Sequence, residues 1–137
     1  MKNLKSYLLS VIVLIFLSEN IFGQIVKEYT FTVTPKGTKE FSVNVPQGAK
    51  KVKAVISNHT EMLKIELIGS DGNTVLCKNS TWANSDRFQD LECSASVVSN
   101  NRQKPGVWKV RIIGAVQPNK IDKVKSVSGK LTVTITN

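Results

Sequence analysis

The chain has 137 residues, 41% of them hydrophobic, and a formal net charge of +9. That length fits one ordinary domain and leaves no room for a multidomain machine. It is also long enough to bury a core without several covalent staples.

Residues 1–23 come first and set the compartment. Lys2 and Lys5 precede an apolar run at 8–17, a polar break at Ser18-Glu19-Asn20 follows, and Gly23 supplies a small residue before a cut. This is the order of a secretory signal. A membrane span needs roughly 20 apolar residues, about twice this run. The expectation is a cleaved signal at 1–23, Gln24 as the mature N-terminus, and a single domain over 24–137. The product is secreted, extracellular or periplasmic, with no transmembrane segment after signal removal. Taking away Lys2, Lys5 and Glu19 leaves +8. Such an excess favours acidic partners and also keeps a secreted protein soluble.

Beyond Gln24 the hydrophobic residues recur every second position, the strand period. Tyr29, Phe31 and Val33 share a face, then Phe41, Val43 and Val45, then Val52, Ala54 and Ile56, then Leu63, Ile65 and Leu67. Asp71-Gly72 marks a hairpin, since glycine accepts the positive φ that such turns need. Val75 and Cys77 open the partner strand, and 78–87 reads as a polar loop. Leu91, Cys93, Ala95 and Val97 resume the alternation, a second loop spans 99–106, and Trp108, Val110 and Ile112 line the next strand. Leu131, Val133 and Ile135 close the series. Pro35, Pro46, Pro105 and Pro118 all fall in the gaps, where a missing N–H breaks no ladder. The fold class is all-β: a two-sheet antiparallel β-sandwich, jelly-roll-like, of eight or nine strands.

Cys77 and Cys93 are the only cysteines. In an oxidising compartment an even number points to a disulfide, the alternative being two buried thiols on neighbouring strands.

From Phe41 onward the chain resembles the bacterial pre-peptidase C-terminal domain, a β-sandwich usually appended to secreted peptidases. The resembling residues are Phe41-Ser42-Val43-Asn44-Val45-Pro46-Gln47-Gly48-Ala49, Leu63-Lys64-Ile65-Glu66-Leu67 with Asp71-Gly72, Pro105-Gly106-Val107-Trp108-Lys109-Val110-Arg111-Ile112, and Leu131-Thr132-Val133-Thr134-Ile135. The Gly-x-Trp strand is also similar to one in the P domain of subtilisin-like convertases. Where the family often carries an acidic residue before its central strand, His59-Thr60-Glu61-Met62 stand here. The resemblance implies a non-catalytic accessory or binding module.

The residues themselves agree that this is not an enzyme. His59 is the sole histidine and has no assignable acid partner, and no Gly-x-Ser-x-Gly turn occurs. Glu61, Glu66, Asp86, Asp90 and Glu92 form no paired-carboxylate motif. No cofactor is expected. Calcium is a lesser alternative, with Asp71 and Asn73 or Asp86 and Asp90 as oxygen donors, although neither pair matches a known loop spacing. Asp71 is more simply a turn former.

Binding is the better reading. Trp82 lies in a polar loop outside any alternating run, and an exposed indole there can stack on a sugar ring or enter a partner's pocket. With Arg87 from the same loop, and Arg102 and Lys104 from the loop read as its neighbour, it forms the first candidate contact set. Lys51, Lys53, Lys109 and Arg111 all point away from the core. If their strands share a sheet, they make one cationic face that binds polyanions in a salt-sensitive manner. That face lacks the interleaved aromatics of a nucleic-acid reader, so no sequence-specific nucleic acid is expected. The partner expected is an extracellular polysaccharide or protein, an acidic one included. The alternative is a secreted accessory or inhibitory protein acting on a peptidase.

Overall fold

The computed structural model describes residues 23–81, 89–115 and 123–137. They form eight strands: β1 (Gln24–Val33), β2 (Thr38–Val45), β3 (Lys51–Ser57), β4 (Leu63–Ile68), β5 (Val75–Ser80), β6 (Leu91–Ser96), β7 (Gly106–Gly114) and β8 (Val127–Thr136). Among the described residues there is no helix long and apolar enough to cross a membrane. The leader read at 1–23 lies, but for Gly23, outside the described residues. So do Trp82 and Arg87.

The strands make two four-stranded sheets, ordered β1-β8-β3-β6 and β2-β7-β4-β5. Pairing is nested and antiparallel: β1 with β8, β2 with β7, β3 with β6, and β4 with β5. This is a long hairpin rolled onto itself, the jelly-roll form of the sandwich. Every connection except the β4–β5 turn crosses from one sheet to the other. The ends of β1, β3, β5 and β7 and the starts of β2, β4, β6 and β8 therefore gather at one end of the sandwich. The β2–β3, β4–β5 and β6–β7 connections gather at the other, with Gly23 and Asn137 joined there by a backbone hydrogen bond of 2.7 Å.

Alternation explains the core directly, because successive side chains on a strand take opposite faces. Val52, Ala54 and Ile56 of β3 are fully buried, and so are Leu63, Ile65 and Leu67 of β4. Trp108, Val110 and Ile112 of β7 join Leu131, Val133 and Ile135 of β8 in the same cluster. Trp108 has no exposed surface, and its Nε1–H donates to the Lys104 carbonyl at 2.9 Å. A buried indole needs that partner, and the bond fastens the β6–β7 loop onto the core.

The β4–β5 turn forms at Asp71-Gly72 as the sequence indicates, with Gly72 at φ 77°. Two details depart from the sequence reading. Lys78, Asn79 and Ser80 belong to β5 and not to a loop. A register shift at Leu67/Ile68 leaves Val75 exposed, out of phase with Cys77.

The two long sides of the sandwich differ. On one, the disulfide Cys77–Cys93 joins β5 of the second sheet to β6 of the first, with the Cα atoms 5.7 Å apart. Asn79 Nδ2 adds a hydrogen bond to the Glu92 carbonyl at 3.1 Å. On the other, β1 and β2 are joined by the ring contact of Tyr29 and Phe41, 4.8 Å between centroids.

Candidate functional site

The outer face of the second sheet carries a shallow hollow over β4 and β5. Lys64 and Glu66 alternate outward along β4, between buried Leu63, Ile65 and Leu67. The hairpin register sets Ser80 opposite Lys64 and Lys78 opposite Glu66. Together with Ile113 of β7 they line a volume of about 580 Å³. Lys64, Lys78, Asn79 and Ser80 are exposed.

The charges on this face are ordered by register. Glu40, Arg111, Glu66 and Lys78 stand in one row across β2, β7, β4 and β5. Arg111 Nε donates to Glu40 Oε1 at 2.9 Å, and its Nη1 lies 3.9 Å from Glu66 Oε2. Such part-exposed pairs contribute at most about 1 kcal/mol each, so their effect here is on placement. Arg111 is neutralised by Glu40 and lies near Glu66, which also lines the hollow. Among the described residues Lys64 and Lys78 have no ion pair, which leaves two ammonium groups beside the hollow. With Ser80 they can take a carboxylate, sulfate or phosphate group together with neighbouring hydroxyls.

The single cationic face expected from Lys51, Lys53, Lys109 and Arg111 does not form. All four point outward as read, but β3 lies in the first sheet and β7 in the second. Lys51 and Lys53 are therefore on one outer face, and Lys109 and Arg111 on the opposite one. The cause is jelly-roll nesting, which sends β3 to pair with β6 and β8 and sends β7 to β2 and β4.

Of the loop contact set, only Arg102 and Lys104 are among the described residues. Thr81 and Gln89, which bracket the segment bearing Trp82 and Arg87, lie at the end of the sandwich where β4 begins. Thr81 exchanges hydrogen bonds with Leu63 there. Arg102 and Lys104 lie at the other end, where the Ser70 amide donates to the Arg102 carbonyl at 2.8 Å. β5 and β6 run in opposite directions, so the described residues that flank the first segment and those of the second lie at opposite ends of the sandwich. Trp82 and Arg87 themselves lie outside the described residues.

Two polar groups hold the ends in shape. His59 is buried, with Nδ1 2.9 Å from the Glu61 carbonyl and Nε2 3.0 Å from the Gln89 carbonyl. The ring thus bridges the β3–β4 turn to the approach of β6. Asp71 accepts hydrogen bonds from the Thr74 hydroxyl and from the Thr74 and Asn73 amides. Those donors, the hydroxyl foremost, hold its carboxyl down to about 2, with Arg102 adding a smaller attraction. The carboxylate is thereby engaged in the turn, and among the described residues no three His, Cys, Asp or Glu side chains gather as a metal site.

Lys64 and Lys78 were missed as a pair by sequence reasoning. Lys64 was visible as an outward residue, but Lys78 fell in a stretch read as loop. Their meeting depends on the bulged β4–β5 register, which no local pattern specifies.

No family model matches the chain, and no curated protein matches it. Solved structures are similar to it. The periplasmic inhibitor of g-type lysozyme, PliG, from Aeromonas hydrophila superposes with a TM-score of 0.50 at 8% identity, over 83% of this chain and 89% of that one. PliG from Salmonella Typhimurium gives 0.42 at 16% identity, covering 83% and 88%. The CBM36-1 domain of a multidomain xylanase, from the hindgut metagenome of Trinervitermes trinervoides, gives 0.44 at 6%, covering 83% and 97%. At these identities the likeness is one of architecture: this chain is an all-β, two-sheet sandwich of the jelly-roll kind.

Proposed function

We propose that this chain is a secreted, non-catalytic binding module that attaches to an anionic extracellular polymer through the β4–β5 hollow. The observation that carries this reading is the pair Lys64 and Lys78, exposed and without an acid partner among the described residues, beside a hollow that also offers Ser80. A rigid disulfide-tied frame holds them, so little ordering is needed on binding. The test is retention of the processed protein on immobilised dextran sulfate against neutral dextran, over a salt gradient. Wild type should elute from the sulfated matrix only at raised salt, and Lys64→Gln with Lys78→Gln should elute earlier. Passage through both matrices alike would overturn the reading.

A second reading is an accessory or inhibitory protein acting on a secreted enzyme. Its support is the same charge, since glycoside hydrolase clefts carry a pair of carboxylates that a cationic surface fits, and a g-type lysozyme inhibitor shares the architecture. The resemblance of residues 41–49 and 105–112 to the pre-peptidase C-terminal domain supports a peptidase as the enzyme instead. Stoichiometric loss of lysozyme or peptidase activity on adding the protein would favour this reading over the first.

A further inference from the structure

Resting on the reading of the β4–β5 hollow as an anionic-polymer site, we propose that the module is two-sided. A second strip on the opposite face, centred on Lys51 and Lys53, lets one molecule hold two anionic polysaccharide chains at once.

The strip follows from register. On the outer face of the first sheet, Lys53 stands between Thr134 of β8 and Ser94 of β6, and Lys51 between Thr136 and Ser96. Each ammonium-bearing residue is thus flanked on both sides by a hydroxyl, about 4.8 Å away across the ladder. The two lysines lie about 6.7 Å apart along the strand. Lys50 is exposed just before β3, anchored by its amide to the Thr136 carbonyl at 2.7 Å. Acidic groups on this face are few and lie to the side. Glu28 is taken by Lys130 at 3.1 Å, and Glu92 stands opposite Val55, one step along from Lys53.

The ligand class follows from the flanking groups. Hydroxyls alternating with ammonium groups offer hydrogen bonds to sugar hydroxyls and charge to carboxylate or sulfate. A lipid surface would need a cluster of exposed apolar side chains. The exposed large hydrophobic residues described are four valines, of which Val26 lies on this face and Val107 on the other.

Geometry makes the two sites independent. The lysines of β3 and those of β4 and β5 point in opposite directions from sheets that pack about 10 Å apart. One extended polymer segment cannot touch both faces without passing around the sandwich. Two chains can, with the protein as the bridge.

The experiment mixes the processed protein with dextran sulfate, and separately with polygalacturonate, and follows light scattering against the molar ratio. Bridging predicts a maximum at intermediate ratio that falls in excess of either component. Lys51→Gln with Lys53→Gln, and separately Lys64→Gln with Lys78→Gln, should each keep measurable column retention but lower the scattering maximum about tenfold or more. The four substitutions together should abolish retention. Lys36→Gln with Lys125→Gln removes the same charge from other parts of the surface and should leave the scattering intact.

The outcomes separate the two ideas. Retention that depends on Lys64 and Lys78 alone, without a scattering maximum, leaves the hollow as a site and overturns two-sidedness. Scattering that falls equally in all three double variants means charge neutralisation and also overturns it. Dependence on Lys51 and Lys53 alone removes the hollow and two-sidedness together. Equal or tighter binding to phosphatidylglycerol vesicles overturns the choice of polysaccharide.

Discussion

Single residues here act mostly through the hydrogen bonds they leave satisfied. Asp71 is the clearest titrating example. Its carboxylate accepts three donors in the turn, which lowers its pKa from 3.8 to about 2. A depressed carboxylate stabilises the fold above the unfolded value, near 3.8, and that contribution disappears as pH falls through about 2. Asn at this position can still accept from the backbone but loses the charge. Asp71→Asn is therefore expected to be less stable than wild type at pH 6, with the gap closing between pH 4 and 2. Urea midpoints measured across that range check this, and a gap independent of pH would show that the charge is irrelevant. Gly69, beside this turn, has no freedom of another kind. A Cβ there would run into the Arg102 carbonyl, so the turn and the β6–β7 loop fit together only with glycine at that position.

At the scale of elements, the informative pair is β5 and β6. They belong to different sheets, and Cys77–Cys93 with Asn79–Glu92 closes that side. The crosslink closes a loop of sequence separation 16, for which chain entropy gives about 3 kcal/mol. Replacing both cysteines with alanine should cost about 2–4 kcal/mol in equilibrium unfolding, while the far-UV spectrum stays that of a β protein. A loss under about 1 kcal/mol would mean that β4 and the core hold this side unaided. The cysteine pair and all eight strands were legible in the sequence, because burial on one face forces alternation and each alternating run is local. What was not legible is which strands become neighbours. Lys51 and Arg111 both read correctly as outward, yet they end on opposite faces. Outwardness is a property of one strand, and sharing a face is a property of the topology. The same limit hid the meeting of Lys64 with Lys78 across a bulged register.

The whole molecule depends on its last strand more than on its first. β8 lies inside the first sheet, between β1 and β3, and pairs with both along most of its length. Val127, Leu131, Val133 and Ile135 of β8 are essentially fully buried. Each such side chain contributes roughly 1.5–3 kcal/mol, so their sum rivals the whole net stability of a domain, about 5–15 kcal/mol. The start of β1 is different, being an edge with Gln24, Val26 and Lys27 exposed and Ile25 half-buried. Two truncations of a chain comprising residues 24–137 should therefore diverge sharply. Removing 24–27 should lower stability by no more than about 3 kcal/mol and keep a single cooperative urea transition. Removing 127–137 opens the first sheet at its centre, because among the described residues β1 loses its only ladder and β3 one of its two, and cooperative unfolding should be lost altogether. Near-UV circular dichroism, which reports the fixed environment of Trp108, distinguishes the two. A chain ending at residue 126 that still unfolds in one sharp transition would show that the hydrophobic interior closes without β8, and the nested order of the strands would then not be what holds the two faces back to back.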